Sequence, residues 1–390
     1  MIVVDVLIVL LLVLALVAGV RRGFFASIGT LLGLAAGAFA AQWLAPIVNG
    51  AVPSPQYRLL AVIATVLGLL VLGAFLGSAI GSALRSGADR LKLRGIERFL
   101  GGVASVVIAA LALVLVSPAI GQAGLPGISS AVASSRVLNG LKAITPDPVE
   151  AALAELGSVV VADGLPRLGE LLTPERVEPA APVELDDPEL AQAAASVARV
   201  SGTAYACGRS TTGSGFVIAP DRVVTNAHVV AGVETPVVEL PGIGAREGRI
   251  VYFDGTDDLA VIAVDDLGVA ALPTVSRLEP GAAAVVQGYP LGGPFSSIRA
   301  TVLSSGSAPV PDIYDDAWNP RDIYSLQSPV RPGNSGGPLL TGDGEVAGVV
   351  FARGENDPER GYAMMTGELE PVVAQASSLT SAVSSGPCIG

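Results

Sequence analysis

The sequence of 390 residues is poor in the side chains that hold metal ions: it contains a single histidine, His228, and two cysteines. These counts exclude a site built from several histidines, a cysteine-rich zinc site and a disulfide-dense scaffold. Charged residues make up only 15% of the chain, whereas hydrophobic residues make up 51%. We expect neither a metal nor a cofactor, and the net charge of −12 argues against a nucleic-acid partner.

The few charges are unevenly distributed along the chain. Residues 1–120 contain eight basic and three acidic residues, a net charge of +5. The remaining 270 residues contain 15 basic and 32 acidic residues, a net charge of −17. An asymmetry of this size indicates two parts with different surroundings.

The first part contains four long apolar runs that are nearly free of charge, at roughly 3–20, 23–44, 59–84 and 99–120. Because a helix of about 20 apolar residues crosses the hydrocarbon core of a bilayer, we expect a four-helix transmembrane domain at 1–120, with the lipid bilayer as its partner. Glycine recurs at every fourth position within two of the runs, which predicts close packing between helices. These glycines are Gly29, Gly33, Gly37, Gly73, Gly77 and Gly81.

Basic residues between the runs predict the orientation of the chain. Arg21 and Arg22 lie between the first two runs, and five basic residues lie at 85–98 between the last two. The connection between the second and third runs carries only Arg58. Because basic loops stay in the cytoplasm, we expect a multi-pass protein of the cell (inner) membrane. Its N-terminus and everything after about residue 120 would then be extracytoplasmic, in the periplasm.

Two further parts follow the apolar runs. Residues 121–194 combine weak helical periodicity with a stretch at about 173–190 that has four prolines and six acidic residues. We interpret this part as a periplasmic helical segment followed by an exposed linker, which is a candidate cleavage site. Within 195–390, short apolar runs alternate with Gly, Pro and Asp turns, which predicts an all-β barrel or sandwich.

Three segments of the β-rich part carry side chains suited to nucleophilic catalysis. They are TNAHVVAG around His228, DGTDDLAVIAV with Asp257 and Asp258, and RPGNSGGPLL with Ser335. A serine hydroxyl is a poor nucleophile unless an adjacent base accepts its proton, and that base needs a carboxylate to orient it. Histidine suits the role of base, so the three segments together predict a catalytic triad.

The glycines beside Ser335 predict an oxyanion hole, because they let the backbone turn tightly and direct its amides at one point. The predicted hole comprises Gly333, Asn334 and Ser335, with the amides of Gly333 and Ser335 as donors. GNSGG also fits the nucleophile elbow of α/β-hydrolases, which requires a histidine after the serine. No histidine follows Ser335, and the chain order His–Asp–Ser is the chymotrypsin order.

TNAHVVAG, DDLAVIAV and GNSGGPLL together resemble the chymotrypsin-like serine peptidases, in particular the bacterial branch that includes the HtrA proteases. The resemblance implies a double β-barrel with His228 as general base, Asp258 as orienting acid and Ser335 as nucleophile. Asp258 is preferred to Asp257 because it directly precedes Leu-Ala, as the family's acid does. In digestive members an aspartate at position 334 binds a newly cut N-terminus; here it is Asn334, so activation by N-terminal insertion is not expected.

The whole architecture resembles a narrower family. The apolar runs are similar to the colicin V production proteins, and with the protease-like part they resemble the membrane-anchored periplasmic serine proteases of mycobacteria and other actinobacteria. That resemblance implies a serine endopeptidase that cleaves itself and acts on envelope proteins in acid or other stress resistance. The alternative is a membrane sensor or scaffold whose β-domain binds peptides without cutting them.

The two cysteines, Cys207 and Cys388, lie in the same predicted extracytoplasmic domain. Outside the cytoplasm such a pair forms a disulfide more readily than it stays as two thiols. We therefore expect a disulfide that ties the C-terminal segment to the first barrel.

Overall fold

A computed structural model of the protein shows two compact units. One consists of Met1–Ile120 and Ala131–Val160, and the other of Gly121–Ser130 and Val161–Gly390. Much of the predicted helical segment and linker lies outside the described residues. The structure describes residues 2–52, 55–88, 94–122, 132, 135–146, 148–149, 152–153, 165–172, 180–181, 183–207 and 209–389.

The first unit is built from the four apolar runs, each of which forms a helix: α1 (Ile2–Arg22), α2 (Phe24–Ala51), α3 (Pro55–Ala88) and α4 (Arg94–Gln122). Among the described residues, these four helices are long and apolar enough to cross a membrane. Only 6 to 22% of the residues in each apolar window are buried. Such extensive exposed apolar surface needs a lipid environment, which agrees with the predicted membrane domain.

The spaced glycines lie between α2 and α3. A Cβ atom on Gly33 would overlap the carbonyl of Gly73, and one on Gly77 would overlap the carbonyl of Gly29. The two glycine series therefore run along each other in opposite directions. In the absence of side chains the two backbones come into direct contact, the arrangement expected for helices that pack in lipid.

A short helix, α5 (Arg136–Ile144), belongs to the same unit. Ser135 caps it, because its hydroxyl accepts a hydrogen bond from the Leu138 amide at 3.2 Å. The Ser135 hydroxyl in turn donates to the Asp5 carboxylate of α1 at 2.5 Å, and the Val137 amide donates to the same oxygen at 3.3 Å. These bonds hold the start of α5 against the start of α1.

The second unit contains two seven-stranded sheets. The first sheet has the order β6-β5-β2-β3-β4-β8-β7, and its two outer strands are joined by the single residue Gly248. Its strands are β2 (Val197–Ala204), β3 (Arg209–Ala219), β4 (Arg222–Thr225), β5 (Val237–Leu240), β6 (Gly244–Glu247), β7 (Arg249–Asp254) and β8 (Leu259–Ala263).

The second sheet has the order β1-β13-β12-β9-β10-β11-β14, and β13 also pairs with β14, so that six of its strands close into a barrel. The seventh strand, β1, pairs in parallel with the end of β13. The strands are β1 (Arg167–Leu168), β9 (Ala283–Gly288), β10 (Ser296–Pro311), β11 (Trp318–Gln327), β12 (Pro338–Leu340), β13 (Val346–Gly354) and β14 (Arg360–Met365).

Each sheet has its own apolar core, and a third core joins them. Val217 and Ile262 lie in the core of the first sheet, and Leu326 and Val350 in that of the second. The joining core combines residues of both sheets, such as Phe216 and Phe351. The expected double β-barrel is thereby confirmed, and the segments that carry the predicted chemistry end where the two barrels meet.

In the described part of the second unit there are three short α-helices: α6 (Pro188–Ala194), α7 (Ala227–Val230) and α8 (Thr366–Ala376). Leu190 of α6 and Leu369 of α8 are buried in the core that joins the barrels. Helix α7 is a single turn directly after β4, and it carries the only histidine of the sequence.

Candidate active site

His228 lies on α7 and is 5% exposed. Strand β4 ends at Thr225, and Asn226 turns the chain into the helix. The Asn226 side chain donates to the backbone carbonyl of Asp258 at 2.9 Å. The turn that carries the histidine is therefore attached directly to the segment that carries the predicted acid.

Asp258 and His228 are in direct contact. The Asp258 carboxylate lies 2.8 and 3.0 Å from His228 Nδ1 through its two oxygens, and it accepts the His228 backbone amide at 2.9 Å. A carboxylate only accepts hydrogen bonds, so Nδ1 carries the proton and Nε2 is left as the acceptor in the neutral ring. Asp258 itself has φ of +57°, a backbone strain of the kind found at functional sites.

Asp257 does not take part in this pair. Burial raises the pKa of the Asp257 carboxyl, and the nearby Asp254 raises it further. The neighbouring Arg321 opposes both effects. Of the two adjacent aspartates, Asp258 is the one whose carboxylate contacts His228.

Arg321 holds the loop that leads to Asp258, a contact that the sequence motifs did not reveal. The residue is 1% exposed, and its guanidinium donates to the Thr256 carbonyl at 2.5 Å. The same guanidinium lies 5.3 Å from the centre of the Phe351 ring, in a cation–π contact. A charged residue inside an apolar core carries no sequence periodicity that would identify it beforehand.

Ser335 follows a tight turn formed by residues 331–334. The Asn334 amide donates to the Arg331 carbonyl at 3.0 Å, and Gly333 has φ of +93°. Proline at the second position and glycine at the third are the residues that a type II turn requires, and Pro332-Gly333 supplies them. The Asn334 side chain also accepts the Arg331 amide at 3.0 Å, which closes the turn.

The turn leaves two amides available. Among the described residues, the N–H groups of Gly333 and Ser335 donate to no protein acceptor. The amide of Asn334, the residue between the two predicted donors, is used within the turn. Asn334 therefore shapes the loop, and the two free amides are those of the flanking residues.

The Ser335 hydroxyl is 2% exposed, and within the described residues neither it nor His228 Nε2 has a hydrogen-bond partner. The structure thus forms the His228–Asp258 pair but no hydrogen bond between Ser335 and His228. Catalytic hydrogen bonds are often long without substrate and tighten when it binds. In the described part of the chain, both reactive atoms therefore lack a partner, and both are buried in this conformation.

Ser214 of β3 is the second residue at the site that the sequence motifs did not predict. Its amide donates to the Ser335 carbonyl at 2.7 Å, and its hydroxyl donates to the Gly333 carbonyl at 2.6 Å. The Ser214 carbonyl accepts the Thr225 hydroxyl at 2.7 Å, directly before the turn that carries His228. One residue of the first barrel therefore connects the serine loop to the histidine turn.

A cavity of about 280 Å³ lies beside the His228–Asp258 pair. Residues 165–168, which include β1, line it together with Phe351 of β13. The Arg353 amide donates to Pro166 O at 3.0 Å, and the Glu355 amide donates to Leu168 O at 2.8 Å. A segment from before the first barrel thus lies along the edge of β13, next to the site.

No group of three or more His, Cys, Asp or Glu side chains that could hold a metal ion occurs in the described part of the chain. The Cys207 side chain lies outside the described residues, so the predicted disulfide stays a prediction. Cys388 is in the C-terminal segment that follows α8.

Comparisons with known proteins find a family match in each half of the chain. The profile of the trypsin-like peptidase domain family matches residues 213–349, and that of the colicin V production protein family matches residues 4–146. The chain is 33% identical over 393 residues to the serine protease Rv3671c of Mycobacterium tuberculosis, covering 99% of this chain and 98% of that protein.

One further relative and one solved structure match the protease part. The putative serine protease HhoB of Synechocystis is 37% identical over 162 residues, which cover 39% of this chain and 37% of HhoB. The crystal structure of the active form of the Rv3671c protease has a TM-score of 0.51 and 35% identity, and it covers 57% of this chain and 100% of that chain.

Proposed function

Because the chain belongs to the family of serine proteases that includes Rv3671c of Mycobacterium tuberculosis, we propose that His228, Asp258 and Ser335 form its catalytic triad. The observation that carries this assignment is the buried His228–Asp258 pair. The carboxylate contacts both Nδ1 and the backbone amide of the histidine, so the ring is held in one orientation with Nε2 free to act as base.

In the proposed reaction the Ser335 hydroxyl attacks the carbonyl carbon of a peptide bond. His228 Nε2 takes the hydroxyl proton, and the negative charge that develops on the carbonyl oxygen is bound by the amides of Gly333 and Ser335. The tetrahedral intermediate expels the amine, which leaves with the proton held by His228, and an acyl-enzyme remains. Water then attacks the ester by the same steps and restores the Ser335 hydroxyl.

Peptide hydrolysis by the full-length protein in detergent or nanodiscs tests this assignment. We expect the wild type to cleave an unfolded protein substrate, and we expect Ser335→Ala and His228→Ala each to lose the activity while remaining folded. Retention of activity in either variant would refute the triad. A wild type that binds peptides without cutting them would favour the sensor or scaffold alternative.

We propose that the protease unit lies outside the cytoplasm and acts on proteins of the cell envelope. The support is the distribution of basic residues around the four candidate spans. We also propose a role in acid or other stress resistance. We further propose self-cleavage in the acidic linker at about 173–190. The linker supports self-cleavage because proline-rich acidic sequence is accessible to proteases.

Substrate binding is proposed at the end of β13. Strand β12 ends at Leu340, and β1 lies alongside the remaining part of β13 at Arg353 and Gly354. An extended peptide adds to such a strand edge through main-chain hydrogen bonds. A substrate that takes this place has to displace β1, so the segment 165–168 would compete with substrate.

We propose a Cys207–Cys388 disulfide. The Arg209 guanidinium donates to the Ile389 carbonyl at 3.1 Å, which places the residue after Cys388 close to the start of β3. The Gly232 amide also donates to the Ser385 carbonyl at 3.2 Å. Closing so long a loop stabilises the folded state by roughly 5 kcal/mol in the chain-entropy model.

The disulfide proposal is tested by alkylating the native, non-reduced protein and mapping the cysteines by mass spectrometry. We expect a peptide that links the two cysteines. After reduction we expect faster hydrogen exchange in the C-terminal segment and lower activity. Two alkylated thiols in the native protein would show that the bond is absent.

A further inference from the structure

The Ser214 side chain lies where three segments of the site meet. It is completely buried, with an exposure of 0%. Its hydroxyl donates to the Gly333 carbonyl at 2.6 Å and accepts the Tyr289 amide at 2.9 Å. A single hydroxyl of the first barrel therefore contacts both the serine loop and the loop that follows β9.

We infer that Ser214 is a positioning residue, whose hydroxyl fixes the Gly333 amide in the direction needed to bind the oxyanion. This inference rests on the proposed function, because it assigns a task to a residue behind the proposed oxyanion hole. Ser214 does not touch the reacting atoms itself. It acts on the two peptide groups that flank the Gly333 α-carbon.

The first of these peptide groups is held directly. The Gly333 carbonyl accepts the Ser214 hydroxyl, which fixes the peptide between Gly333 and Asn334. Glycine populates positive and negative φ with similar ease, so its own conformational preference does not maintain the observed φ of +93°. The two hydrogen bonds between Arg331 and Asn334 close the turn, and the bond from the Ser214 hydroxyl adds a direct restraint on the Gly333 carbonyl.

The second peptide group is held indirectly, and it contains the proposed donor. The Leu291 amide donates to the Pro332 carbonyl at 2.6 Å. The N–H of a trans peptide points away from its carbonyl, so this bond directs the Gly333 N–H to the opposite side. The loop that contains Leu291 is fixed through the Tyr289 amide, which donates to the Ser214 hydroxyl.

The remaining contacts of Ser214 are made by its backbone and survive truncation of the side chain. Its amide donates to the Ser335 carbonyl and its own carbonyl accepts the Thr225 hydroxyl. Ser214→Ala thus removes only the two hydroxyl contacts. It leaves the Ser335 backbone and the histidine turn in place, so the effect reports on the Gly333 peptide.

Removal of one oxyanion donor costs about 10²- to 10³-fold in kcat. Because Ser214→Ala leaves the donor present but no longer fixed, we expect a decrease in kcat of at least about tenfold and a change in KM smaller than about threefold. Affinity for a peptide aldehyde, whose adduct with Ser335 places an oxyanion in the hole, should fall in parallel with kcat/KM. Affinity for the product-like peptide acid should change little.

Ser304→Ala is the matched control. Ser304 lies on β10, is 3% exposed, and in the described part of the chain its hydroxyl has no hydrogen-bond partner. This variant also removes one buried hydroxyl, at a residue that does not line the cavity beside the His228–Asp258 pair, and we expect wild-type kinetics. The melting temperature of each variant is compared with that of the wild type, and kinetics are measured at a temperature at which all variants are folded.

The full-length wild type, Ser214→Ala, Ser304→Ala and Ser335→Ala are measured together. The inference is overturned if folded Ser214→Ala keeps wild-type kcat and aldehyde affinity. It is also overturned if kcat falls while aldehyde affinity is unchanged, or if aldehyde and peptide-acid affinity fall equally. Failure of the proposed function would look different, because the wild type and Ser335→Ala would then have the same activity.

Discussion

At the residue scale, the site depends on a few side chains whose neighbours decide their roles. Adjacent aspartates differ completely: Asp258 contacts the histidine, whereas Asp257 is partly buried with a raised pKa. The sequence motifs predicted Asp258 as the partner of His228, and the two side chains lie in contact. They could not identify Ser214 or Arg321, because these residues act through contacts with segments that are distant in sequence.

The two aspartates provide a matched test of the triad. We expect Asp258→Asn to lower kcat by about 10⁴-fold, since an amide favours the wrong histidine tautomer. We expect Asp257→Asn to keep wild-type kcat. Because burial raises the pKa of the Asp257 carboxyl, the ionised carboxylate lowers the stability of the folded protein at neutral pH, so this variant should be equally or slightly more stable.

Steady-state kinetics and thermal melts of both variants check this prediction. Equal losses of kcat in the two variants would contradict the assignment of Asp258 alone.

The pH dependence of the activity follows from the role of His228 as the general base. His228 Nε2 accepts a proton only in the neutral ring, so we expect kcat/KM on a short peptide to fall as the pH becomes acidic. A role in acid resistance would then come from substrate availability or relief of inhibition. A pH profile that rises to a maximum below about pH 5 would contradict this mechanism.

At the element scale, apolar runs and turn signals were sufficient to predict the four helices and the β-rich part, because both follow from local patterns. The pairing of β1 with β13 was not predictable in this way. Strand β1 has two residues, Arg167 and Leu168, and it forms only because the edge of β13 is available. Its position depends on tertiary contacts that the local sequence does not contain.

The position of β1 leads to a prediction about competition with substrate. Leu168 is buried in the joining core, and its replacement by serine removes apolar contacts that hold β1 on β13. We expect Leu168→Ser to lower KM for a peptide substrate several-fold with little change in kcat. The exposed neighbour Glu170 supplies the control, Glu170→Gln, for which we expect wild-type KM.

Kinetics and melting curves of the two variants test the role of β1. An unchanged or increased KM in folded Leu168→Ser would mean that β1 supports the site and does not compete with substrate.

At the scale of the whole molecule, the charge asymmetry corresponds to two compact units with different surroundings. The membrane unit exposes most of its apolar residues, whereas the protease unit buries its own in three cores. The sequence predicts this division because the composition differs between the units. It does not reveal how the segment between them is arranged, because weak periodicity there leaves several structures open.

The predicted orientation can be tested with alkaline phosphatase, which is active only outside the cytoplasm. We expect high activity for a fusion after residue 389 and low activity for a fusion at residue 93, between α3 and α4. The basic residues at 85–98 are the reason, since they keep that connection in the cytoplasm. The opposite pattern would place the protease unit inside the cell.

Covalent labelling of Ser335 tests whether this residue is the nucleophile of the proposed triad. Membranes that contain the full-length protein are treated with a fluorophosphonate probe, and the modified residue is identified by mass spectrometry, with Ser335→Ala as control. An activated serine with a neighbouring histidine base and a formed oxyanion hole reacts with such a probe. We predict a single adduct on Ser335 that is lost in Ser335→Ala and strongly reduced in Asp258→Asn. Absence of labelling in the folded wild type, or equal labelling in Ser335→Ala, would show that Ser335 is not the nucleophile.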